Sequence, residues 1–294
     1  MKSSLLIAIS LLFATIGAAQ AEEFIGARPL GMGSAYRAIV SSNDAIMLNP
    51  AGMSLFRRYA FEAQYLLTPK FGAKDGPDEH VMHASVVDNQ IQAFATGLAF
   101  TRVERGDDKN GNRYDLAFSA TLSDKLFIGT NIKYLDFDFP DRADLEAVTV
   151  DVGILLRTDF GLHLAVVGYN LTNPADYIEH PVSMASALMY SPFPSLELSF
   201  DWYITYQKPK DFTDALGDKT TAYSFAFGVE YLLLSQITMR AGYLLDQTLP
   251  EDDQFWSVGI GYVTQRYALD FGYRGSIEHP DWGNNFGFGL RMFM

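Results

Sequence analysis

From Arg57 to the end of the chain, apolar and polar residues alternate in short runs that are separated by turn residues. This period-two alternation is typical of strands with one apolar and one polar face. It predicts fourteen strands: Arg57–Pro69, Asp78–Asp88, Ile91–Val103, Asn112–Ser123, Lys125–Phe137, Asp144–Thr158, Phe160–Leu171, Pro181–Ser191, Ser195–Gln207, Lys219–Leu233, Ser235–Asp246, Gln254–Thr264, Gln265–Gly275 and Gly283–Met294.

The two faces of these strands differ sharply in character. In the predicted strand Ser195–Gln207, Leu198 and Trp202 lie on one face, whereas Glu197 and Asp201 lie on the other. A charge on a face shielded from water is costly. We therefore expect the charged faces to line a lumen and the apolar faces to contact lipid. A strand of about 11 residues tilted by about 40° is long enough to cross the hydrocarbon layer of a membrane.

The connections alternate in length. Long polar segments such as 104–112 and 208–218 follow odd strands, whereas Asn89–Gln90 and Asp159 are short connections after even strands. Outer-membrane barrels have an even strand number, short periplasmic turns and longer outer loops. The pattern predicts an all-β protein, a transmembrane antiparallel β-barrel of about 14 strands in a Gram-negative outer membrane. A lumen of this width is too wide for side chains alone to fill, but one segment can block it.

The start of the chain has the features of an export signal. Lys2 precedes the apolar stretch Leu5–Ala19, and Ala19-Gln20-Ala21 forms a small-x-small cleavage site. The apolar stretch is shorter than the roughly 20 residues of a spanning helix. We therefore predict a cleaved signal peptide over 1–21, a hatch over 22–56 and a barrel over 57–294.

The predicted hatch shows neither helical periodicity nor strand alternation. In Asn49-Pro50-Ala51-Gly52, proline fixes φ, glycine permits positive φ and the asparagine side chain can bond nearby backbone. These properties suit a rigid gate, and they equally suit a plain tight turn before the first strand. The candidate hatch or gate residues are Gly31, Gly33, Asn43, Asp44, Asn49, Pro50, Ala51 and Gly52.

Three motifs in this segment carry a resemblance to a known family. The sequence from Gly26 to Ala35 (GARPLGMGSA), Asn43-Asp44-Ala45 and Asn49–Gly52 resemble the N-terminal hatch of the long-chain fatty acid transporter (FadL) family. They are also similar to the hatch of PorV-type and conjugal-transfer TraF-like barrels. The resemblance implies a fourteen-stranded barrel, a hatch with an NPA element, and passage of hydrophobic molecules, with a lateral opening in the wall as one route.

Charged residues at lumen positions have two interpretations. They either tune passage, or they pair with one another and with charged hatch residues and so hold the hatch in place; we favour pairing. These residues are Arg28, Arg37, Glu62, Arg102, Asp115, Lys133, Asp151, Asp201, Glu230, Arg240 and Asp270. Asp44 is expected to join this pairing from the hatch.

Other chemistry has weak support. Asp107–Asn112 has the spacing of a calcium loop, but Arg113 replaces the required glycine and Ser119 the bidentate glutamate. His80 and His83 are expected on opposite strand faces, so we predict no metal site. No G-x-S-x-G motif is present. We predict that the protein is not an enzyme and has no cofactor.

Composition narrows the partners. A net charge of −13 argues against nucleic acid, and the absence of cysteine excludes disulfides. We predict passive transport of small hydrophobic molecules across the outer membrane, gated by the hatch. The alternative is an envelope docking or shuttle component of a secretion or conjugal-transfer system. Expected partners are outer-membrane lipid, lipopolysaccharide and a small hydrophobic ligand, with an envelope protein under the alternative.

Overall fold

A computed structural model describes residues 25–40, 42–69, 78–90, 93–106, 109–139, 144–172, 181–206, 221–247, 253–278, 280 and 284–294. Fourteen strands pair in sequence order, and the first pairs with the last, so that the sheet closes into a barrel. Every neighbouring pair is antiparallel. The predicted all-β barrel of fourteen strands is confirmed.

Each predicted strand has a counterpart whose ends differ from the prediction by at most three residues. The strands are β1 (Tyr59–Thr68), β2 (Glu79–Asp88), β3 (Phe94–Arg105), β4 (Lys109–Thr121), β5 (Leu126–Asp138), β6 (Leu145–Arg157), β7 (Leu162–Tyr169), β8 (Val182–Phe193), β9 (Leu196–Tyr206), β10 (Thr221–Leu233), β11 (Ile237–Asp246), β12 (Asp253–Val263), β13 (Tyr267–Ser276) and β14 (Asn285–Phe293).

The two faces of the wall differ as the alternation predicts. In β9, the outward side chains of Leu198 and Trp202 are 38% and 39% exposed, whereas the inward side chain of Asp201 is 1% exposed. Aromatic side chains on the outer face also contact one another across strands. The ring centroid of Tyr114 lies 5.2 Å from that of Phe100 and 6.0 Å from that of Tyr134. Such cross-strand contacts stabilise a sheet beyond its backbone hydrogen bonds.

The connections after the even strands contain two to five residues. We call the end of the barrel at which they lie the short-turn end. The opposite end is called the long-connection end. The connection between β3 and β4 departs from the prediction, because the expected loop 104–112 is mostly strand. Glu104 pairs with Asn110 and Arg105 with Lys109, and Gly106 has a φ of 52° that suits a tight turn. Part of the calcium-like spacing therefore lies in β4, while Asp107 and Asp108 are outside the described residues.

Residues 25–40 and 42–56 form the hatch, which lies inside the barrel. Its first limb, residues 25–40, contains helix α1 (Ala27–Leu30). Its second limb, residues 42–56, contains helix α2 (Ala45–Leu48) and a 3₁₀ helix (Pro50–Ser54). Among the described residues, no helix is long and apolar enough to cross a membrane. The hydrophobic core of the molecule lies between the hatch and the inner wall, where Ile46 and Met47 pack with Phe127 and Leu155.

Candidate functional site

The NPA turn at the start of the 3₁₀ helix is fixed by the side chain of Asn49. Its Oδ1 accepts a hydrogen bond from the Ala51 amide at 3.2 Å, and its Nδ2 donates to the carbonyl of Arg37 at 3.0 Å. Pro50 follows at the first helical position, where its fixed φ suits a helix start. Asn49 thus joins the second limb to the first, which is more than a local turn requires.

The wall receives the NPA turn through glycines. An ideal Cβ on Gly129 would lie 2.4 Å from the Ala51 nitrogen, and one on Gly153 would lie 2.1 Å from Asn49 Oδ1. Distances below 3.0 Å essentially never occur for a real Cβ. The turn therefore lies directly against the backbone of β5 and β6, because no side chain separates them.

The same arrangement holds the first limb. A Cβ on Gly242 would lie 2.2 Å from the Gly33 nitrogen, and a Cβ on Gly272 would lie 2.2 Å from the Ala27 carbonyl oxygen. We call the inward glycines that contact the hatch the glycine seat. They are Gly97, Gly129, Gly153, Gly228, Gly242, Gly259, Gly272 and Gly287.

The hatch glycines named from the sequence also lie at close contacts. A Cβ on Gly31 would lie 2.9 Å from the Gly259 Cα, and Gly33 has a φ of +62°. A Cβ on Gly52 would lie 2.2 Å from a methyl group of Val40. Gly31 and Gly33 therefore permit contact with the wall, whereas Gly52 permits contact between the two limbs.

Arg28 forms the ion pair between the first limb and β10. Its Nε and Nη2 donate to the two carboxylate oxygens of Glu230 at 2.9 and 2.6 Å. Glu230 also accepts from Arg240 Nε at 2.5 Å. Burial lowers the pKa of Arg28, but the combined attraction of Glu230, Tyr36 and Glu197 outweighs burial and leaves that pKa well above its ordinary value. The guanidinium therefore stays charged.

Arg37 forms a second ion pair, with Asp201 on β9. Asp201 Oδ2 lies 3.2 Å from Arg37 Nη1 and accepts from the backbone amides of Tyr36 and Arg37 at 3.1 and 3.0 Å. Arg37 Nε donates to the Tyr169 hydroxyl at 2.8 Å, and that hydroxyl donates to the Leu48 carbonyl. Arg28 and Arg37 of the hatch thus both pair with carboxylates of the barrel wall.

Asn43 and Asp44 hold the second limb to β1 and β2. Asn43 Nδ2 donates to the Ala60 carbonyl and to Ser85 Oγ, both at 3.2 Å. Asp44 accepts from Gln64 Nε2 at 2.8 Å and from the Ser42 hydroxyl at 2.5 Å. No ion pair joins Asp44 to a cation within the described part of the chain, so its expected role as a charged partner is corrected.

On the β4–β6 side, an ionic layer lies between the hatch and the long-connection end. Lys133 Nζ is 2.7 Å from Asp151 Oδ1, and Arg113 Nη2 is 2.8 Å from Asp115 Oδ1. Asn131 Nδ2 joins the second pair by donating to Asp115 at 2.7 Å. All of these side chains are buried. They pair with one another as expected for Asp115, Lys133 and Asp151.

A second ionic network lies near the short-turn end. Asp270 is 2.8 Å from Arg240 Nη1 and 3.2 Å from Arg291 Nη2, and Arg291 Nε is 3.4 Å from Glu62 Oε1. Together with Glu230, this network links β1, β10, β11, β13 and β14. The predicted lumen positions of Glu62, Glu230, Arg240 and Asp270 agree with the structure.

The expected lumen position of Arg102 is wrong. The neighbouring Thr101 is the inward residue of β3, with 1% exposure, whereas Arg102 lies on the outer side and bonds Glu104 at 3.1 Å. Arg102 lies near the long-connection end, beyond the apolar part of the strand, where an outward charge is not shielded from water. The sequence does not identify Arg113 as a lumen residue, because Arg113 lies at the start of a predicted strand, directly after a predicted loop.

Beyond the ionic layer, the long-connection end has an apolar lining. Leu135, Phe137, Phe139 and Leu145 form a buried cluster, with Val103 and Ala147 packed against it. We call these residues the mouth cluster. These apolar side chains are buried and lie beyond the ionic layer on the β5–β6 side.

The three histidines that the structure describes lie on the strand faces that the alternation predicts. His83 faces the lumen and bonds Thr101 at 2.8 Å, His163 faces the Ala38 carbonyl at 3.2 Å, and His80 bonds Tyr65 at 2.6 Å. No group of three or more histidine or acidic side chains in the described ranges is arranged to hold a metal ion.

No family model matches the sequence, and no curated protein matches it. Solved structures do match. A Pseudomonas aeruginosa FadL homologue is 12% identical, with a TM-score of 0.63, over 92% of this chain and 98% of the other. The chain has the fold of the FadL-type barrels. The FadL-type fold is also shared with the Ralstonia pickettii toluene transporter TbuX (11% identity, 92% and 98% coverage, TM-score 0.68) and the P. putida toluene transporter TodX (12%, 92% and 98%, 0.67).

Proposed function

We propose that this protein is a passive carrier of small hydrophobic molecules across the outer membrane, with residues 25–56 as its gate. The observation that carries the proposal is the hatch itself. A closed barrel with an apolar outer wall is filled by a segment that lies against wall glycines and is held there by ion pairs and apolar contacts. Such a segment blocks the lumen and would have to move for cargo to pass.

The chemistry of the cargo follows from the lining and from the neighbours. The mouth cluster is apolar and lies toward the end where the long connections are. Two proteins of the same fold are named as toluene transporters and a third as a FadL homologue. We therefore place small aromatic or short aliphatic molecules ahead of long-chain fatty acids. The long-connection end would face outward and the short-turn end the periplasm, after removal of residues 1–21.

Liposome uptake tests this proposal. Purified protein is reconstituted, and entry of toluene, of a medium-chain fatty acid and of a small sugar is compared with entry into protein-free liposomes. We expect faster entry of at least one apolar probe and unchanged entry of the sugar. Equal entry of all probes in both preparations would contradict transport. Native mass spectrometry of protein extracted in mild detergent then examines the docking alternative, for which a stoichiometric protein partner is the expected result.

A further inference from the structure

Large apolar side chains lie at four consecutive connections of the short-turn end. Leu122 follows β4, Phe160 follows β6, Phe193 ends β8 and Leu234 follows β10. We call these four residues the turn rim. Leu122, Phe160 and Leu234 are 60%, 68% and 80% exposed, and Leu234 is the most exposed large apolar side chain in the described part of the chain. Turns that face water are ordinarily built from glycine, proline and polar residues, so the rim indicates a contact with something other than water.

The turn at Leu234 is also strained. Leu234 and Ser235 have φ values of 51° and 60°, and a hydrogen bond from Gln236 N to Leu233 O closes the turn at 3.2 Å. Two successive positive-φ residues are typical of a type I′ hairpin turn, in which asparagine and glycine are preferred. Leucine adopts this conformation only at an energetic cost. A strained leucine whose side chain is almost fully exposed indicates a contact that the barrel itself does not supply.

The turn rim continues the lipid-facing outer wall. Leu122 is separated by an even number of residues from Leu116, an outward residue of β4. Phe193 pairs with Leu196, which shares the outer face of β9 with Leu198. Because alternate residues share a face and directly paired residues lie side by side, Leu122 and Phe193 lie on the outer side of the barrel and not over its lumen. Whatever covers the outer wall therefore also covers the rim.

The height of the apolar wall requires the turn rim. On the outer face of β5, uncharged side chains run from Leu126 to Tyr134, and Asp136 follows toward the long-connection end. These eight residue steps of about 3.4 Å, tilted by about 40°, give a height of about 21 Å. The apolar band of outer-membrane barrels is about 25 Å tall. The remaining height lies at the short-turn end, because Glu146 of β6 pairs with Asp136 and closes the other end with charge.

We propose that the turn rim is a phospholipid-binding edge. Its four side chains insert at the boundary between the headgroups and the acyl chains of the leaflet at the short-turn end, which is the inner leaflet in the proposed orientation. This contact places the Leu234 side chain in apolar surroundings and so offsets the strain of its turn. A periplasmic protein would approach along the barrel axis, whereas the rim faces sideways. The proposal goes beyond transport and holds equally for a barrel that carries no cargo.

Site-directed fluorescence in liposomes tests the rim. The chain has no cysteine, so L122C, F160C and L234C each carry a single nitrobenzoxadiazole probe. The protein is folded into liposomes made of phospholipid alone, with a quencher either on the acyl chain close to the headgroup or, as iodide, in the water on both sides. V258C, in the middle of β12 on the outer face, is the lipid reference. E278C, exposed beyond the end of β13 at the long-connection end, is the water reference.

The two quenchers distinguish lipid from water around the rim. We expect the lipid-borne quencher to reduce the fluorescence of all three rim probes nearly as strongly as that of V258C, and iodide to act on them much less than on E278C. Iodide quenching equal to that of E278C, with little quenching from the lipid, would overturn the proposal. That result would instead favour a rim that a protein covers in the cell. Neither result depends on whether the barrel carries cargo.

Bilayer thickness provides a second test on unlabelled protein. A variant with serine at all four rim positions shortens the apolar wall and changes no strand-pairing or hatch contact other than the end of β8. Because mismatch between wall and bilayer costs free energy for each ångström, we expect its highest urea midpoint in bilayers about 4 Å thinner than those that suit the unmodified protein. The control D124S/Q236S changes exposed polar residues of two of the same turns and should keep the original optimum. The same optimum for all three proteins would overturn the proposal.

Discussion

At the residue scale, the wall has glycines instead of larger residues where it contacts the hatch. Glycines oppose each other across neighbouring strands, as Gly129 with Gly153 and Gly228 with Gly242. Glycine ordinarily weakens a strand and often marks a place where another backbone approaches closely. The alternation places these residues on the inward face, yet glycine carries no hydropathy signal. Their role could not be predicted from sequence because it depends on the path of the hatch.

Gly129 belongs to the glycine seat. Gly129→Ala places a methyl group 2.3 Å from the Pro50 carbonyl carbon, and overpacking of this kind costs about 1–3 kcal/mol. We expect a lower free energy of unfolding in urea and faster proteolysis of the hatch. Gly289→Ala is the matched control, because its methyl group meets nothing closer than 3.7 Å. Similar losses in both variants would show that the effect belongs to the strand and not to the hatch contact.

The two ion pairs that hold the hatch should contribute differently to the free energy of unfolding. Asp201→Asn leaves the buried Arg37 charge without its carboxylate, a change that costs about 3–5 kcal/mol. Arg28→Gln weakens the two hydrogen bonds to Glu230 but leaves Glu230 paired with Arg240, so we expect a smaller loss of about 1.5–3 kcal/mol, the range for a hydrogen bond to a charged group. Urea unfolding of both variants in the same lipid measures the two values. A larger loss for Arg28→Gln than for Asp201→Asn would show that Arg240 does not compensate Glu230 for the lost partner.

At the element scale, the strands were predictable because lipid and lumen impose opposite polarity on alternate residues. Arg102 shows where this logic stops. It lies at the end of β3, where the outer face is no longer shielded from water and an outward charge bonds Glu104. The layering along β5 was equally hidden. From the short-turn end it presents Gly129 to the hatch, Lys133 to the ionic layer and Leu135 to the mouth cluster. The hatch contact, the ionic layer and the mouth cluster line up across neighbouring strands only once the barrel has closed.

The ionic layer supplies a prediction for β5 and β6. Lys133 and Asp151 are both fully buried and 2.7 Å apart, so Lys133→Met removes the cation from beside a buried carboxylate, at a cost of about 3–5 kcal/mol. The double variant K133M/D151N removes that charge while keeping an acceptor for the Asn170 amide, which bonds Asp151 at 2.9 Å. We expect it to recover most of the loss in urea unfolding. A double variant no more stable than Lys133→Met would show that the aspartate charge is not the source of the cost.

At the scale of the whole molecule, polarity is inverted relative to a water-soluble domain. The lumen holds the charged networks and the hatch core, whereas the outer wall exposes aliphatic and aromatic side chains on β2 to β14. This arrangement is stable only if lipid covers the outer wall. The membrane is therefore part of the folded state, and the free energy of the barrel depends on it.

This dependence yields the last prediction. Ile132 is at the middle of β5, points outward and lies between Leu116 and Val150 of the neighbouring strands. Ile132→Arg should cost about 2–4 kcal/mol in a bilayer, the value for arginine on the lipid face at the midplane. Leu122→Arg, at a turn residue that is 60% exposed, should cost less than about 1 kcal/mol, since charges near the interface are tolerated. Unfolding titrations in liposomes compare the two, and equal costs would mean that β5 does not cross the hydrocarbon layer.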